Sequence, residues 1–294
     1  MRKPPSQAGI RPDFHVHSTF SDGLYTPQAL CHMAVSSKLS HLSLCDHDTL
    51  AGLAPMAEAL GEHNAAEKEA REIFFLPGVE VSTGIHGRIH ILGYGADPSN
   101  PILRPWMDSA LSRRRKRLSQ MLDSLSALGI EVPAEDLPAG DTQAAGRAHI
   151  ARALMKLGIV NTLDQAFGRF LGEGKPAYIP YEHTGAVEAV ALLREAHCVP
   201  VLAHPARLAL SGEMRLALVR SLVDAGLMGI EVFHPSASRR DIRTLESFAR
   251  KQGLLITGGS DFHGDTHARL GEVPSGWTSV QEDTFALLSA VSGL

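Results

Sequence analysis

The chain has 294 residues, of which 44% are hydrophobic and 20% charged, with a formal net charge of −4. This fits one large globular domain, or one domain carrying an insertion, and the negative charge argues against a protein that coats nucleic acid. No signal-like apolar run precedes Pro12, no stretch could span a bilayer, and Cys31, Cys45 and Cys198 are too scattered for a disulfide framework. The expectation is a cytoplasmic protein with reduced thiols, no membrane association, no DNA-binding motif and no protein partner. Fifteen histidines are the compositional oddity.

Taken in chain order, short apolar runs alternate with amphipathic stretches. A strand over Asp13 to His17 precedes a helix over Pro27 to Ser37. A strand over His41 to Cys45 runs into Asp46-His47-Asp48 and precedes a helix over Ala51 to Leu60. Strands follow over Ile73 to Val81, carrying Glu80, and over Ile89 to Tyr94, carrying His90. From Ser99 to Lys175 the pattern is helical only, over Leu111 to Leu128, Arg147 to Leu157 and Thr162 to Phe170, between turns rich in Pro and Gly. This segment holds 11 Lys+Arg against 8 Asp+Glu, whereas the remainder holds 17 against 24. Alternation then resumes: helices over Ala186 to Ala196, Glu213 to Ala225 and Arg239 to Gln252, with strands over Val199 to Ala203, Gly229 to Phe233 and Leu254 to Thr257. The pattern is that of an α/β fold with parallel strands, and seven strands favour a closed barrel over an open sheet. Residues 1–98 and 176–294 read as the barrel, and 99–175 as a helical insertion covering its mouth.

In a strand alternate residues share a face, so Asp13, His15 and His17 point one way. Other candidate ligands also sit at strand ends: Asp46-His47-Asp48, Glu80, His90, His204, and Asp261 with His263. Strand C-termini of a parallel barrel converge on one pocket. One ion takes about four ligands, so this set suits two or three. His86 rivals His90 by parity, and His234 either faces substrate or packs structurally. Gly78, Gly258 and Gly259 read as backbone accommodation at crowded strand ends. The remaining histidines and Cys45 read as ordinary, and Arg113 to Arg117 as a solvated helix face.

These motifs, Asp13-x-His15-x-His17, Asp46-His47-Asp48, Glu80, His90, His204-Pro205 and Asp261-x-His263, resemble the polymerase and histidinol phosphatase (PHP) family of metal-dependent phosphoesterases. The resemblance implies a distorted seven-stranded barrel with three ions. One would be held by His15, His17, Glu80 and Asp261, a second by Glu80, His90 and His204, and a third by Asp22, His47 and His263. Asp13 and Asp48 then orient imidazoles or hold water and substrate. Gly146 to Leu154 and Gly174 to Pro180 resemble a narrower group, the nucleoside 3′,5′-bisphosphate phosphatases related to a short-RNA 5′-to-3′ exonuclease. Ala148 stands where that group carries proline, and Tyr181 where it carries histidine; His183 either substitutes locally or does nothing.

The expected activity is hydrolysis of the 3′-phosphate of a nucleoside 3′,5′-bisphosphate, with metal-bound hydroxide as nucleophile. Asp22, Asp48 and His204 are the catalytic candidates, Asp48 or a metal-bound water being the proton donor to the leaving group. Asp22, Gly23, Asp48, Arg147, His149, Lys175, Tyr178 and Arg207 are the substrate-binding candidates. The cofactors are three Mn²⁺ by ligand hardness, with Zn²⁺ or Fe²⁺ as alternatives. The competing readings are a 5′-3′ exoribonuclease on short RNA, a metal-dependent amidohydrolase and a metal-stabilised binding module.

Overall fold

A computed structural model of the chain describes residues 9–66, 72–83, 89–138, 140, 142–180, 184–265 and 268–293. His86 and the 181–183 segment lie outside the described residues. Seven strands form one sheet in chain order: β1 (Pro12–Val16), β2 (His41–Leu44), β3 (Phe74–Thr83), β4 (Ile89–Tyr94), β5 (Val199–Leu202), β6 (Gly229–Phe233) and β7 (Leu255–Gly258). Its edges meet where Val16 bridges Phe262, and the His17 amide donates to Phe262 O at 3.0 Å. The sheet is therefore a nearly closed barrel.

The expectation of parallel strands throughout is corrected at one place. β4 runs antiparallel to both β3 and β5. A parallel neighbour needs a crossover of about a dozen residues, and residues 84–88 are too few. The antiparallel pairing sets His90 opposite Ser82, and Leu92 opposite both Glu80 and Val201, so these side chains share the interior face.

Helices α1 (Pro27–Ser36), α2 (Leu53–Ala66), α6 (Ala186–Glu195), α7 (Gly212–Asp224) and α8 (Arg239–Gln252) cover the outside of the barrel. The interior beneath Glu80 is apolar, packed from Phe14, Cys45, Leu92, Tyr94, Val201 and Ala203. Leu287 completes this cluster from α9 (Val280–Ser292), a helix outside the sequence expectation. Arg250 of α8 pins α9 through Asp283, at 2.5 and 2.7 Å.

Between β4 and β5 the chain forms α3 (Leu103–Ser126), α4 (Arg147–Lys156) and α5 (Leu163–Ala166), which runs on as a π-helical turn over Phe167–Leu171. α3 starts at Leu103 rather than Leu111, because Pro105 falls in the first turn, where proline is tolerated. These helices bury their own cluster, including Met121, Leu125, Ile150, Leu154, Val160 and Leu171. That separate core supports our proposal of a helical unit over 99–175. It is laced to the loops after β1 and β2. Ala144 N donates to Phe20 O at 2.7 Å, Gln143 Nε2 to Thr19 O at 2.9 Å, and Thr49 Oγ1 to Thr142 O at 2.9 Å. No helix of the described residues is long and apolar enough to cross a membrane.

Candidate metal centre

The loop after β1 is shaped by Asp46, whose carboxylate accepts from Ser18 N (2.8 Å), Ser18 Oγ (2.6 Å) and Ser21 Oγ (2.6 Å). The loop thereby presents Asp22 to the barrel mouth. Gly23 is buried in this turn, where a Cβ would lie 2.4 Å from His17 O. Asp13 accepts from Ser260 N (2.9 Å), Ser260 Oγ (2.5 Å) and Gly271 N (2.8 Å). It fastens the β1–β7 seam rather than orienting an imidazole, which corrects its expected role. At Gly259 a Cβ would lie 2.3 Å from His15 Cβ, so glycine there lets β7 pass against the histidine strand. His204, Asp48 and Asp261 have φ of 29°, 51° and 52°, backbone strain concentrated where strands end at the site.

All nine expected ligands gather at this mouth. His15 Nε2 lies 3.1 Å and His17 Nε2 3.2 Å from Glu80 Oε2, and His17 Nε2 is 3.2 Å from Asp261 Oδ1. His47 Nδ1 is 3.1 Å from the same Glu80 oxygen, while His90 Nδ1 and His204 Nε2 approach Glu80 Oε1 at 2.7 and 2.9 Å. His263 Nε2 lies 3.2 Å and His47 Nε2 3.9 Å from Asp22 Oδ1. Three overlapping groups have ligand atoms within 4.8 Å of one another: His15, His17, Glu80 and Asp261; His47, Glu80 and His90; and His17, Asp22, His47 and His263. The first is the expected set. In the second His47 stands where His204 was expected, and His17 joins the third.

His15 Nε2, His17 Nε2, Asp22 Oδ1, His47 Nδ1 and Glu80 Oε2 are buried without a hydrogen-bond partner among the described residues. Orphaned buried polar atoms are costly unless something engages them. Two donors each about 2.1 Å from a shared ion stand roughly 3.0–3.6 Å apart, which is the spacing of most of these contacts. Electrostatics agree with that fit. Burial opposes charge at His17, yet Asp261 and Glu80 raise its imidazole to about 10. His47, where burial dominates, falls to about 3. Burial also works against the Glu80 and Asp22 carboxyls, but the surrounding imidazoles hold both well below the usual carboxylate range. Each of these groups offers an imidazole nitrogen or a carboxylate oxygen, the donor set that a divalent cation takes.

Two cavities reach this cluster. The first, about 150 Å³, is lined by Asp22, His47 and His90 together with Ser82, Arg114, Arg117, Arg147, Leu118, Met121 and Phe167. The second, about 200 Å³, is lined by cluster residues together with Arg152, Leu163, Arg207 and Asp265. Arg147 stands 5.5 Å over the Phe167 ring. Arg207 donates to Asp261 Oδ2 at 2.7 Å.

Several substrate candidates are corrected by where they lie. Lys175 is exposed in a turn and lines neither cavity. His149 turns back so that its Nδ1 accepts from Gly146 N at 3.1 Å, capping its own helix. Tyr178 lies under Arg117, 5.7 Å from its guanidinium, and lines neither cavity. Asp48 accepts from Arg114 Nε (2.6 Å) and Ser82 N (2.9 Å). Burial raises its carboxyl, but Arg114 and the Ser82 amide outweigh that and hold it below the usual range. It stays ionised and is unsuited to proton donation, contrary to expectation.

The solvated reading of Arg113 to Arg117 also gives way, since Arg114 and Arg117 point into the first cavity. Their spacing with Leu118 and Met121 places all four on one helix face, a signal the sequence carried. Glu231 was missed. Fully buried on β6, it meets His15 Nδ1 at 3.0 Å and accepts from His204 N at 2.7 Å. His234 faces the site, 3.4 Å from Asp261 Oδ2, with Ser236 Oγ at its other nitrogen. Cys45 is a buried thiol pushed up to about 12 by that burial.

No family model matches the chain. The chain is 33% identical to a 5′-3′ exoribonuclease of Haemophilus influenzae, with 90% of this chain and 91% of that one aligned. It is 34% identical to a 3′,5′-nucleoside bisphosphate phosphatase of Chromobacterium violaceum over 85% and 86%. A solved C. violaceum structure, described as an amidohydrolase with bound sulfate and no metal, superposes with a TM-score of 0.83 at 32% identity, covering 96% of this chain and 97% of that one. A proposed metal-dependent phosphoesterase from Bifidobacterium adolescentis gives 0.83 at 28% identity, covering 98% of each. With its barrel, its His and carboxylate cluster and these relatives, the chain belongs to the PHP family of metal-dependent phosphoesterases, in the group that holds 5′-3′ exoribonucleases and 3′,5′-nucleoside bisphosphate phosphatases.

Proposed function

We propose that the protein hydrolyses the 3′-phosphate of nucleoside 3′,5′-bisphosphates, releasing the nucleoside 5′-monophosphate. The observation that carries this reading is the first cavity, which joins the carboxylate and imidazole cluster to three guanidiniums and an apolar wall. One phosphate meets the cluster; the other is gripped by charge alone, for which the rigid guanidinium fork is suited. Asp48 and Ser82 fix Arg114, and the Ile179 carbonyl fixes Arg117 by accepting from its Nε at 2.7 Å. Leu118, Met121 and Phe167 offer the base an apolar surface.

His15, His17, Asp22, His47, Glu80, His90, His204, Asp261 and His263 would hold the ions, three Mn²⁺ on ligand hardness. Bound divalent ions supply activation of water and neutralise charge on the phosphoryl oxygens. Asp22 and His204 serve here as ligands. The chain's own contribution is placement: Asp46 sets the Asp22 loop, Glu231 sets His15, and the arginines hold the far phosphate in line.

A second reading, 5′-3′ hydrolysis of short 5′-phosphorylated RNA, is favoured by the name of the H. influenzae relative. The amidohydrolase reading draws less support, because no lysine lines either cavity where a carbamylated bridging ligand would sit. The test is a panel of adenosine 3′,5′-bisphosphate, 3′-AMP, 5′-AMP and a cyclic amide. The reading expects phosphate and 5′-AMP from the bisphosphate and nothing from 5′-AMP; ring opening of the amide without phosphate release would contradict it.

A further inference from the structure

The group of His17, Asp22, His47 and His263 depends on two loops, one after β1 that carries Asp22 and one after β7 that carries His263. Asp22 Oδ1 and His263 Nε2 face each other across it at 3.2 Å. Arg152, in the second turn of α4, bonds to both loops. Its Nη2 donates to the Asp22 carbonyl at 2.6 Å, and its Nε donates at 2.6 Å to Oδ2 of Asp265, which follows closely on His263. Thr19 O and Phe20 O, earlier in the Asp22 loop, also accept from the insertion, through Gln143 Nε2 and Ala144 N. The group of His15, His17, Glu80 and Asp261 is braced differently: Glu231 meets His15 and Arg207 meets Asp261, and both braces belong to the barrel.

We infer that Arg152 is a positioning residue for the ion of the His17, Asp22, His47 and His263 group. The helical insertion completes that site, whereas the ion of His15, His17, Glu80 and Asp261 depends on the barrel alone. The inference rests on the metal-dependent reading of the cluster and goes beyond it, because it makes the affinity of one ion a property of the insertion. Asp22 Oδ1 is buried without a hydrogen-bond partner among the described residues, so its aim is set by the anchoring of its backbone. Arg152 supplies that anchor from a planar guanidinium with Nε and Nη2 both engaged, which fixes the spacing of the two loops it holds. With those nitrogens spent on protein oxygens, Arg152 is a brace rather than a grip for phosphate. Asp265 also neutralises the guanidinium, which would otherwise repel a cation at the neighbouring ligands.

Arg152→Met keeps the apolar stem and removes both bonds. Full-length protein stripped by chelation is titrated with Mn²⁺, and the free ion is read from its electron paramagnetic resonance signal. The unmodified protein should bind three Mn²⁺ per chain, one for each ligand group. The variant should hold two of them as tightly and the third about tenfold or more weakly. In turnover of adenosine 3′,5′-bisphosphate, the Mn²⁺ concentration that gives half-maximal kcat should rise by the same factor, while KM at saturating Mn²⁺ stays within about twofold. If Arg152→Met disturbs folding, Asp265→Ala removes only the outer anchor and should weaken the same ion alone. Equal weakening of all three ions, unchanged affinity in both variants, fewer than three ions in the unmodified protein, or a raised KM at saturating Mn²⁺ would overturn the inference. Three bound ions without phosphate release from the bisphosphate would overturn the phosphatase reading and leave the role of Arg152 to be decided by the titration.

Discussion

Glu231 governs which nitrogen of His15 faces the cluster, because it occupies Nδ1 at 3.0 Å and leaves Nε2 aimed at Glu80. A carboxylate can only accept, so it selects the tautomer whose Nε2 lone pair is free. Glu231→Gln presents an amide that can donate instead, and metal affinity should fall about 10–100-fold; competition against a fluorescent chelator measures it, and unchanged affinity would remove Glu231 from the site. Arg114 is the second residue of this kind. Arg114→Met leaves the buried Asp48 carboxylate without its guanidinium, and kcat/KM for the bisphosphate should drop about 10–100-fold, chiefly through KM. Arg114→Lys should not restore it, since an ammonium cannot reach Asp48 and Ser82 as a planar fork does. The expected ligands were legible because His, Asp and Glu recur on, or just beyond, one apolar strand after another. Glu231, inside a strand, and Arg114, inside a run of like charges, were hidden: their roles depend on which neighbour the fold brings to them.

At the scale of elements, boundaries were legible where local chemistry marks them. α8 spans the expected Arg239–Gln252 because Ser238 and Asp241 form a capping box and Gly253 ends the helix at φ 65°. Ser238→Ala should cost about 1 kcal/mol in urea unfolding at neutral pH. The Ser238 hydroxyl, then Arg215, hold the Asp241 carboxyl below its ordinary 3.8. A depressed pKa contributes stability above the unfolded value and loses it as pH falls through the folded value, so the deficit of the Ala variant should shrink below pH 3.8. β7 offers a sharper test of packing. Gly259→Ala places a methyl group against the His15 backbone and should destabilise the protein by about 1–3 kcal/mol, read from the same unfolding midpoints and accompanied by lower metal retention. The antiparallel β4 was decided by a loop too short for a crossover. α9 was not legible, because its apolar side matters only once an open barrel end exists for Leu287 to fill.

On the scale of the whole molecule, the barrel supplies the cluster and the helical insertion supplies most of the guanidiniums that face it, with Arg207 coming from the barrel. The contrast of a net-positive insertion with a net-negative remainder was visible in the sequence. Which arginines turn inward was not, because that depends on how the insertion is laced to the loops after β1 and β2. Arg152 shows the connection, donating to the Asp22 carbonyl at 2.6 Å and to Asp265 at 2.6 Å. The loop that carries Asp22 is thus held by the same helical unit that we propose grips the substrate. The most direct measurement is phosphate release from adenosine 3′,5′-bisphosphate as bound metal is removed by chelation and restored with Mn²⁺. Release should follow metal content, with 5′-AMP as the nucleotide product. Full activity in the metal-stripped protein, or 3′-AMP as the product, would contradict the account.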